Sequence, residues 1–407
     1  MVRSSVSGVV AATTLWLLRV GAVSTEGDEA GLSDPVAECT PYGYGPVTAA
    51  LPTFPAIWEP IQQIFQNDSV AFNKFVSINS SIPNIAPKGT LGVPDLTLLT
   101  TYSPSDTDCW WTFQQCVTPK LSGLKPDIAD VPEPRTLGYG FDDGPNCSHN
   151  AFYDYLTQQN QKATMFFIGS NVMDWPLQAQ RAVSDGHEIC AHTWSHRYMT
   201  AFTNEQAFGE LWYSMQAIKL VTGYTPTCWR PPLGDVDDRI RYIASQLGLD
   251  TILWKYNSND WEVGQNGVTT DSVQQNYDNL IAAAKSGTFD SVGAIILTHE
   301  LNNYTMQTAI DNYRALSEAF DYMVPIAVAQ NRTEPYVETN FTMPSFASYI
   351  ASRPPNSSAA DQGSSSSSGS TGGQSSTPGN SGGVALGLTS THAFSMALVL
   401  LSVALCL

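Results

Sequence analysis

Basic residues are scarce in this chain. Nineteen Lys and Arg stand against 37 Asp and Glu over 407 residues, a formal net charge of −18. Nucleic-acid binding asks for a basic surface, so that class of partner is excluded. The balance suits a secreted protein in mildly acidic surroundings. No Cys-x-x-Cys occurs, which excludes the usual thiolate zinc site. Long apolar runs are missing too. Residues 9–18 and 394–407 are apolar, but both stretches are short for a membrane-spanning helix.

The two ends carry processing signatures instead. Residues 1–24 read as a secretory leader: Arg3 supplies the positive start, 9–18 the apolar stretch, and Ala22-Val23-Ser24 a small-residue cleavage site. Residues 356–383 are dominated by Ser and Gly and cannot bury a core. Asn380 and Ser381 offer small residues for attachment, 384–393 is a mild spacer, and 394–407 is the apolar end. That order predicts a GPI signal, with 384–407 removed. The expected location is the cell surface, reached by secretion, at the plasma membrane or in the wall. The expected membrane partner is a GPI lipid only, and the expected state is a monomer.

Cys406 lies in the removable tail. Cys39, Cys109, Cys116, Cys147, Cys190 and Cys228 remain, an even set in a secreted chain, which predicts disulfides. Their pairing stays open, with a slight preference for the local loop Cys109 to Cys116. Sequons at Asn67, Asn79, Asn146, Asn303, Asn331, Asn340 and Asn356 predict a glycosylated surface protein.

Residues 25–134 are irregular, rich in Pro and turn residues. A short helix is expected at 58–65, and the aromatic run Asp108-Cys109-Trp110-Trp111 is expected to pack on the main domain. From 135 to 330 strands and helices alternate. Strands are predicted at 136–141, 163–168, 188–191, 228–230, 251–255, 294–298 and 323–328. Helices are predicted at 150–158, 177–184, 239–247, 272–285 and 306–320. Another opens at the capping box Thr203-Asn204-Glu205-Gln206 and shows Phe208, Leu211, Met215 and Ile218 on one face. Such alternation predicts an α/β fold with a parallel sheet, open or closed into a barrel. Residues 331–355 read as a C-terminal extension.

Polar residues collect where these strands end. Asp142 and Asp143 follow the first, and His192 and His196 follow 188–191. Arg230 ends its strand before Pro231-Pro232, Asp260-Trp261 come after 251–255, and His299 ends 294–298. In a β/α barrel all these ends open on one face, where active sites lie. Two imidazoles spaced by four share a face on a helical turn. With Asp143 they make three protein ligands and leave a position open, as catalytic metals require. Imidazole favours zinc, cobalt or nickel over magnesium or calcium. Asp142 is placed to take a proton from water, and His299 to protonate a leaving group. His149 and His187 read as structural.

These residues resemble the polysaccharide deacetylase family, the NodB-homology proteins of carbohydrate esterase family 4. The resemblance covers about 135–330 and five motifs in order. They are Gly140-Phe141-Asp142-Asp143-Gly144-Pro145, His192 with His196, Arg230-Pro231-Pro232, Asp260-Trp261, and Leu297-Thr298-His299. It implies a distorted (β/α) barrel with an irregular N-terminal extension. It also implies metal-dependent removal of N-acetyl groups with one divalent ion, Zn or Co. Asp142 would be the base and His299 the acid. Asp143, His192 and His196 would hold the metal, Arg230 would orient Asp142, and Asp260 would tune His299. The Leu233 amide would stabilise the oxyanion, and Trp261 would line the pocket. The leader, sequons and tail resemble those of chitin-acting fungal members, so the implied substrate is chitin or its oligosaccharides. Another acetylated polymer (acetylxylan or a peptidoglycan-type glycan) is the alternative, and a silent wall-binding protein is a third reading. Gly140, Leu233 and Asn257 depart from the family's commoner Thr, aromatic and Asp.

Overall fold

The computed structural model describes residues 23–352. The leader to residue 22, Asn356, the Ser/Gly stretch, Asn380, Ser381 and the apolar tail with Cys406 lie outside the described residues. Among the described residues no helix is long and apolar enough to cross a membrane.

Ten strands build the centre: β1 Asp130–Val131, β2 Thr136–Gly138, β3 Gly140–Gly144, β4 Thr164–Phe167, β5 Glu188–Ala191, β6 Cys228–Trp229, β7 Asp250–Thr251, β8 Tyr256–Asn257, β9 Gly293–Leu297 and β10 Tyr322–Val324. β2 and β3 form one run that bends at Tyr139, and β7 and β8 form another. Parallel pairing passes from β3 to β4, β5, β6 and β7 in turn. β8 then pairs β9, and β9 pairs β2. Six parallel runs follow in this order, consistent with a barrel whose two five-stranded sheets are linked by the chain through Tyr139 and by the bridge of Asp142 with His299. Two short strands wedge in where the runs begin. β10 lies against β2, and β1 runs antiparallel to β9 while neighbouring Ile128 bridges Ile252. These wedges distort the barrel.

Apolar strand residues form the core between the strands and the helices around them: Leu137, Phe141, Met165, Phe167, Ile189 and Ile295 are all fully buried, and Phe141 packs on Phe152. The predicted strands and helices of 135–320 form within a few residues of their expected limits. The last strand is shorter than expected. It stops at Val324, and Pro325 starts the helical turn Ile326–Ala329.

Residues 25–127 wrap the outside of these strands. Residues 58–65 form no helix, contrary to expectation, because their amides bind side chains elsewhere. Ile61 N donates to Glu210, Ile64 N to Glu205 and Phe65 N to the Tyr213 hydroxyl. All three partners stand on the helix Asn204–Thr222. That helix is therefore covered on both sides, with Phe75 against Phe208 and Phe54 against Tyr213. Trp110 and Trp111 are buried, so neither ring is free to stack on a sugar. The Trp110 indole donates to Asp235, and Lys88 is buried between Asp108 and Asp237 at 2.7 and 2.6 Å. Disulfides join Cys39 to Cys147, Cys109 to Cys116 and Cys190 to Cys228. The first ties the wrapping segment to the loop after β3.

Candidate active site

The barrel's C-terminal face gathers the residues that the strand ends carry. Asp142 and Asp143 sit at the end of β3, and the Asp142 N–H donates to the carbonyl of Thr298. The Glu300 N–H in turn donates to the carbonyl of Asp142, so the loop carrying His299 is laced to the loop carrying both aspartates.

His192 and His196 do not share a helical turn. They meet through a bent loop in which Thr193 and His196 hold φ of 65° and 53°. Such left-handed backbone costs about 1–3 kcal/mol for a non-glycine residue and persists only when its surroundings enforce it. Glu210 does the enforcing. Its fully buried carboxylate accepts the Trp194 N–H, the Ser195 N–H and the Ser195 hydroxyl, besides Ile61 N.

The His192 Nδ1 lies 2.8 Å from the Arg230 carbonyl, which can only accept, so Nδ1 carries the proton in the neutral ring. Its bare Nε2 then faces Asp143 Oδ1 at 3.4 Å and Asp142 Oδ2 at 3.7 Å. The His196 Nε2 is 3.1 Å from the same Asp143 oxygen. Asp143 Oδ1 is buried and has no hydrogen-bond donor among the described residues. Lone pairs facing a carboxylate oxygen repel unless a proton or cation lies between them. The three groups can offer one ligand atom each, all within 4.8 Å of one another. This donor set fits a divalent ion. Burial alone would raise the Asp143 carboxyl, but His196 first, and His299 after it, hold it well below the usual carboxylate range.

The second half of the site is built from paired groups, although Arg230 leaves Nε and Nη2 without a partner among the described residues. Arg230 Nη1 donates to Asp142 Oδ1 at 2.6 Å, and both side chains are buried. The guanidinium lies 3.9 Å over the Phe166 ring, which fixes its plane. His299 Nδ1 is 2.6 Å from Asp260 Oδ1, and the His299 backbone N–H donates to Asp260 Oδ2 at 3.1 Å. Burial favours the neutral imidazole, but the charges of Asp260, Asp143 and Asp142 prevail and push its pKa up to about 9.

Residues 129–252 match the family model for polysaccharide deacetylase. Chitin deacetylase 2 of Cryptococcus neoformans var. grubii is 52% identical over 335 residues, which span 81% of this chain and 73% of that protein. A chitin deacetylase of Amylomyces rouxii is 45% identical over 315 residues, 75% of this chain and 73% of that protein. The chain belongs to the polysaccharide deacetylase family.

Deacetylases of this family are in general metal-dependent. In this polysaccharide deacetylase the remaining predicted positions line the same face or lie beside it. Leu233 is exposed, with a φ of 59°, in the turn Pro232–Gly234. Trp111 supports that turn from below, since a Cβ at Gly234 would strike its ring. Trp261 is half-buried, and its N–H donates to Asp260 Oδ1 at 2.9 Å. His187 is buried and its Nδ1 accepts the Ala163 N–H; His149 is buried against the Tyr153 ring.

The sequons divide by geometry. Asn67, Asn79, Asn303, Asn331 and Asn340 are exposed. Asn146 is not: its Nδ2 donates to the Leu301 carbonyl at 2.7 Å and its Oδ1 accepts from Ser148. That side chain joins the two loops of the site.

Sequence reasoning passed over three supports. Asn171 donates from Nδ2 to the Asp143 carbonyl at 2.8 Å. Glu210 shapes the histidine loop. Glu300, pushed up to about 8 by burial, accepts the Tyr153 hydroxyl at 2.8 Å. Its carboxyl fills the space a Cβ at Gly144 would need. Only Glu300, a carboxylate directly after His299 in a buried strand end, carried a local signal.

Proposed function

We propose that this polysaccharide deacetylase hydrolyses the N-acetyl amides of β-1,4-linked N-acetylglucosamine in chitin, giving chitosan and acetate during cell-wall remodelling. The observation that carries the reading is the pairing of an orphaned ligand cluster, Asp143, His192 and His196, with a satisfied carboxylate and a satisfied imidazole beside it. Chitin is preferred over acetylxylan or peptidoglycan-type glycans because relatives 52% and 45% identical to this chain are named chitin deacetylases.

Asp143, His192 and His196 would hold one zinc or cobalt ion, whose Lewis acidity makes a water more acidic and the acetyl carbonyl more electrophilic. Asp142 takes the proton from the attacking water. Arg230 fixes the Asp142 carboxylate in place. As the acetyl oxygen gains charge, the Leu233 N–H donates to it. His299, its Nδ1 committed to Asp260, delivers a proton from Nε2 to the departing amine. Trp261 borders the sugar. Residues 135–330 form the catalytic domain, 25–134 its covering and 331–355 a C-terminal support. A leader, N-glycans and a GPI lipid would bring a monomer to the cell surface.

Acetate release from N-acetylglucosamine oligomers by residues 25–355, beside acetylated xylan, tests the substrate. Release from the oligomers alone supports chitin; release from xylan alone moves the assignment to that polymer; silence on both favours a wall-binding role.

A further inference from the structure

We propose that the Trp58 indole is a stacking platform for a sugar unit next to the one being deacetylated, and so sets the response to chain length. The proposal rests on the polysaccharide substrate named above. Trp58 is 42% exposed, and every other described tryptophan is buried or half-buried. Exposure alone says little, since isolated surface aromatics are ordinary. This ring, however, is held. Its Nε1 donates to Asp174 Oδ2 at 2.9 Å, and its backbone N–H donates to Ser170 Oγ at 2.8 Å. Its φ is 68°, a left-handed conformation that a bulky residue adopts at a cost of about 1–3 kcal/mol.

The anchors lead straight to the metal-ligand loops. Ser170, Asn171 and Asp174 stand on one short helix, Gly169–Asp174. Asn171 and Asp174 are three apart, so they share a face, with Cβ atoms about 5–6 Å apart. One holds the Asp143 carbonyl and the other holds the Trp58 ring. On the other side, Ser170 Oγ donates to the carbonyl of Trp194, which lies between His192 and His196, and the Trp194 indole donates to Ala56 O. Trp58 is thus joined, through one short helix, to both loops that carry the ligand cluster. An aromatic face with a negative quadrupole receives the C–H face of a pyranose, and the mount removes the entropy cost of ordering the ring.

The test compares wild type, Trp58→Gly and Trp58→Tyr on N-acetylglucosamine oligomers from dimer to hexamer. Glycine suits the left-handed backbone, so loss of the ring is not confounded by strain. Trp58→Gly is expected to lower kcat/KM for the hexamer by about fivefold to tenfold, the worth of one aromatic contact, and less for the dimer. Trp58→Tyr is expected to recover most of it. Equal loss at every length, or no loss, would overturn the proposal. Binding is read separately by calorimetry in an Asp142→Asn background, so failed turnover cannot mask it. Affinity should rise with length, and Trp58→Gly should flatten the rise. An identical rise in both proteins, or no binding of any oligomer, counts against the platform; absence of turnover with length-dependent binding counts against the deacetylation reading alone.

Discussion

The two halves of the site are built on opposite principles. Asp142 with Arg230 and His299 with Asp260 are closed pairs, each buried and bonded at 2.6 Å. Asp143, His192 and His196 form an open cluster: their ligand atoms converge, yet Asp143 Oδ1 has no donor among the described residues. Closed pairs hold a proton-transfer group in one place. An open cluster stores repulsion that a cation relieves. The difference teaches that unsatisfied buried polar atoms can mark function as clearly as satisfied ones mark positioning.

Substitutions should keep the halves apart. Asp142→Asn is expected to lower kcat by about a thousandfold or more, within the range of a lost general base, while the ion stays bound. Acetate release and metal content measured on one sample check both parts. His192→Ala is expected to lose the ion and the activity together, and added zinc or cobalt should not restore it. Wild type stripped by a chelator should recover on metal addition, and its melting temperature should rise as ligand linkage requires.

Breaking a closed pair should show up in stability. Arg230→Met leaves the Asp142 carboxylate buried without its partner, a loss of about 3–5 kcal/mol. Denaturant unfolding reads it; a change below 1 kcal/mol would mean that the pair is solvated.

Proton transfer sharpens the contrast further. His299 has its folded pKa raised to about 9, so its pairing with Asp260 stabilises the fold below the ordinary histidine range and fades as pH rises through about 9. As an acid it works protonated, which places an alkaline limb in the kcat profile near that value. Asp260→Asn should move that limb to lower pH; an unmoved limb would assign it to another group. The smallest effect is expected from Asn171→Ala, a fewfold loss of kcat, because one hydrogen bond to the Asp143 carbonyl contributes about 1 kcal/mol.

How much of this was legible in the sequence depends on the range of the forces involved. The barrel strands and outer helices announce themselves locally. Glu188–Ala191 and Asn150–Gln158 form at their expected limits, and the Thr203 box caps its helix as written. Strand ends sharing one face made the polar cluster visible. The histidine loop was misread as a helical turn, because the force that bends it comes from Glu210, on a separate helix. The same carboxylate, 149 residues from Ile61, helps keep 58–65 out of a helix. The covered helix looked one-sided because its second apolar face meets a wrapping segment with no periodicity of its own. Asn146 read as a sequon, and only the Leu301 carbonyl reveals it as a strut.

Zinc titration of metal-free wild type and Asp142→Asn, each followed by acetate release from an N-acetylglucosamine oligomer, tests the separation of the two halves most directly. The account predicts one ion bound by both proteins and acetate from the wild type only. Acetate release by metal-free wild type, or loss of the ion in Asp142→Asn, would contradict it.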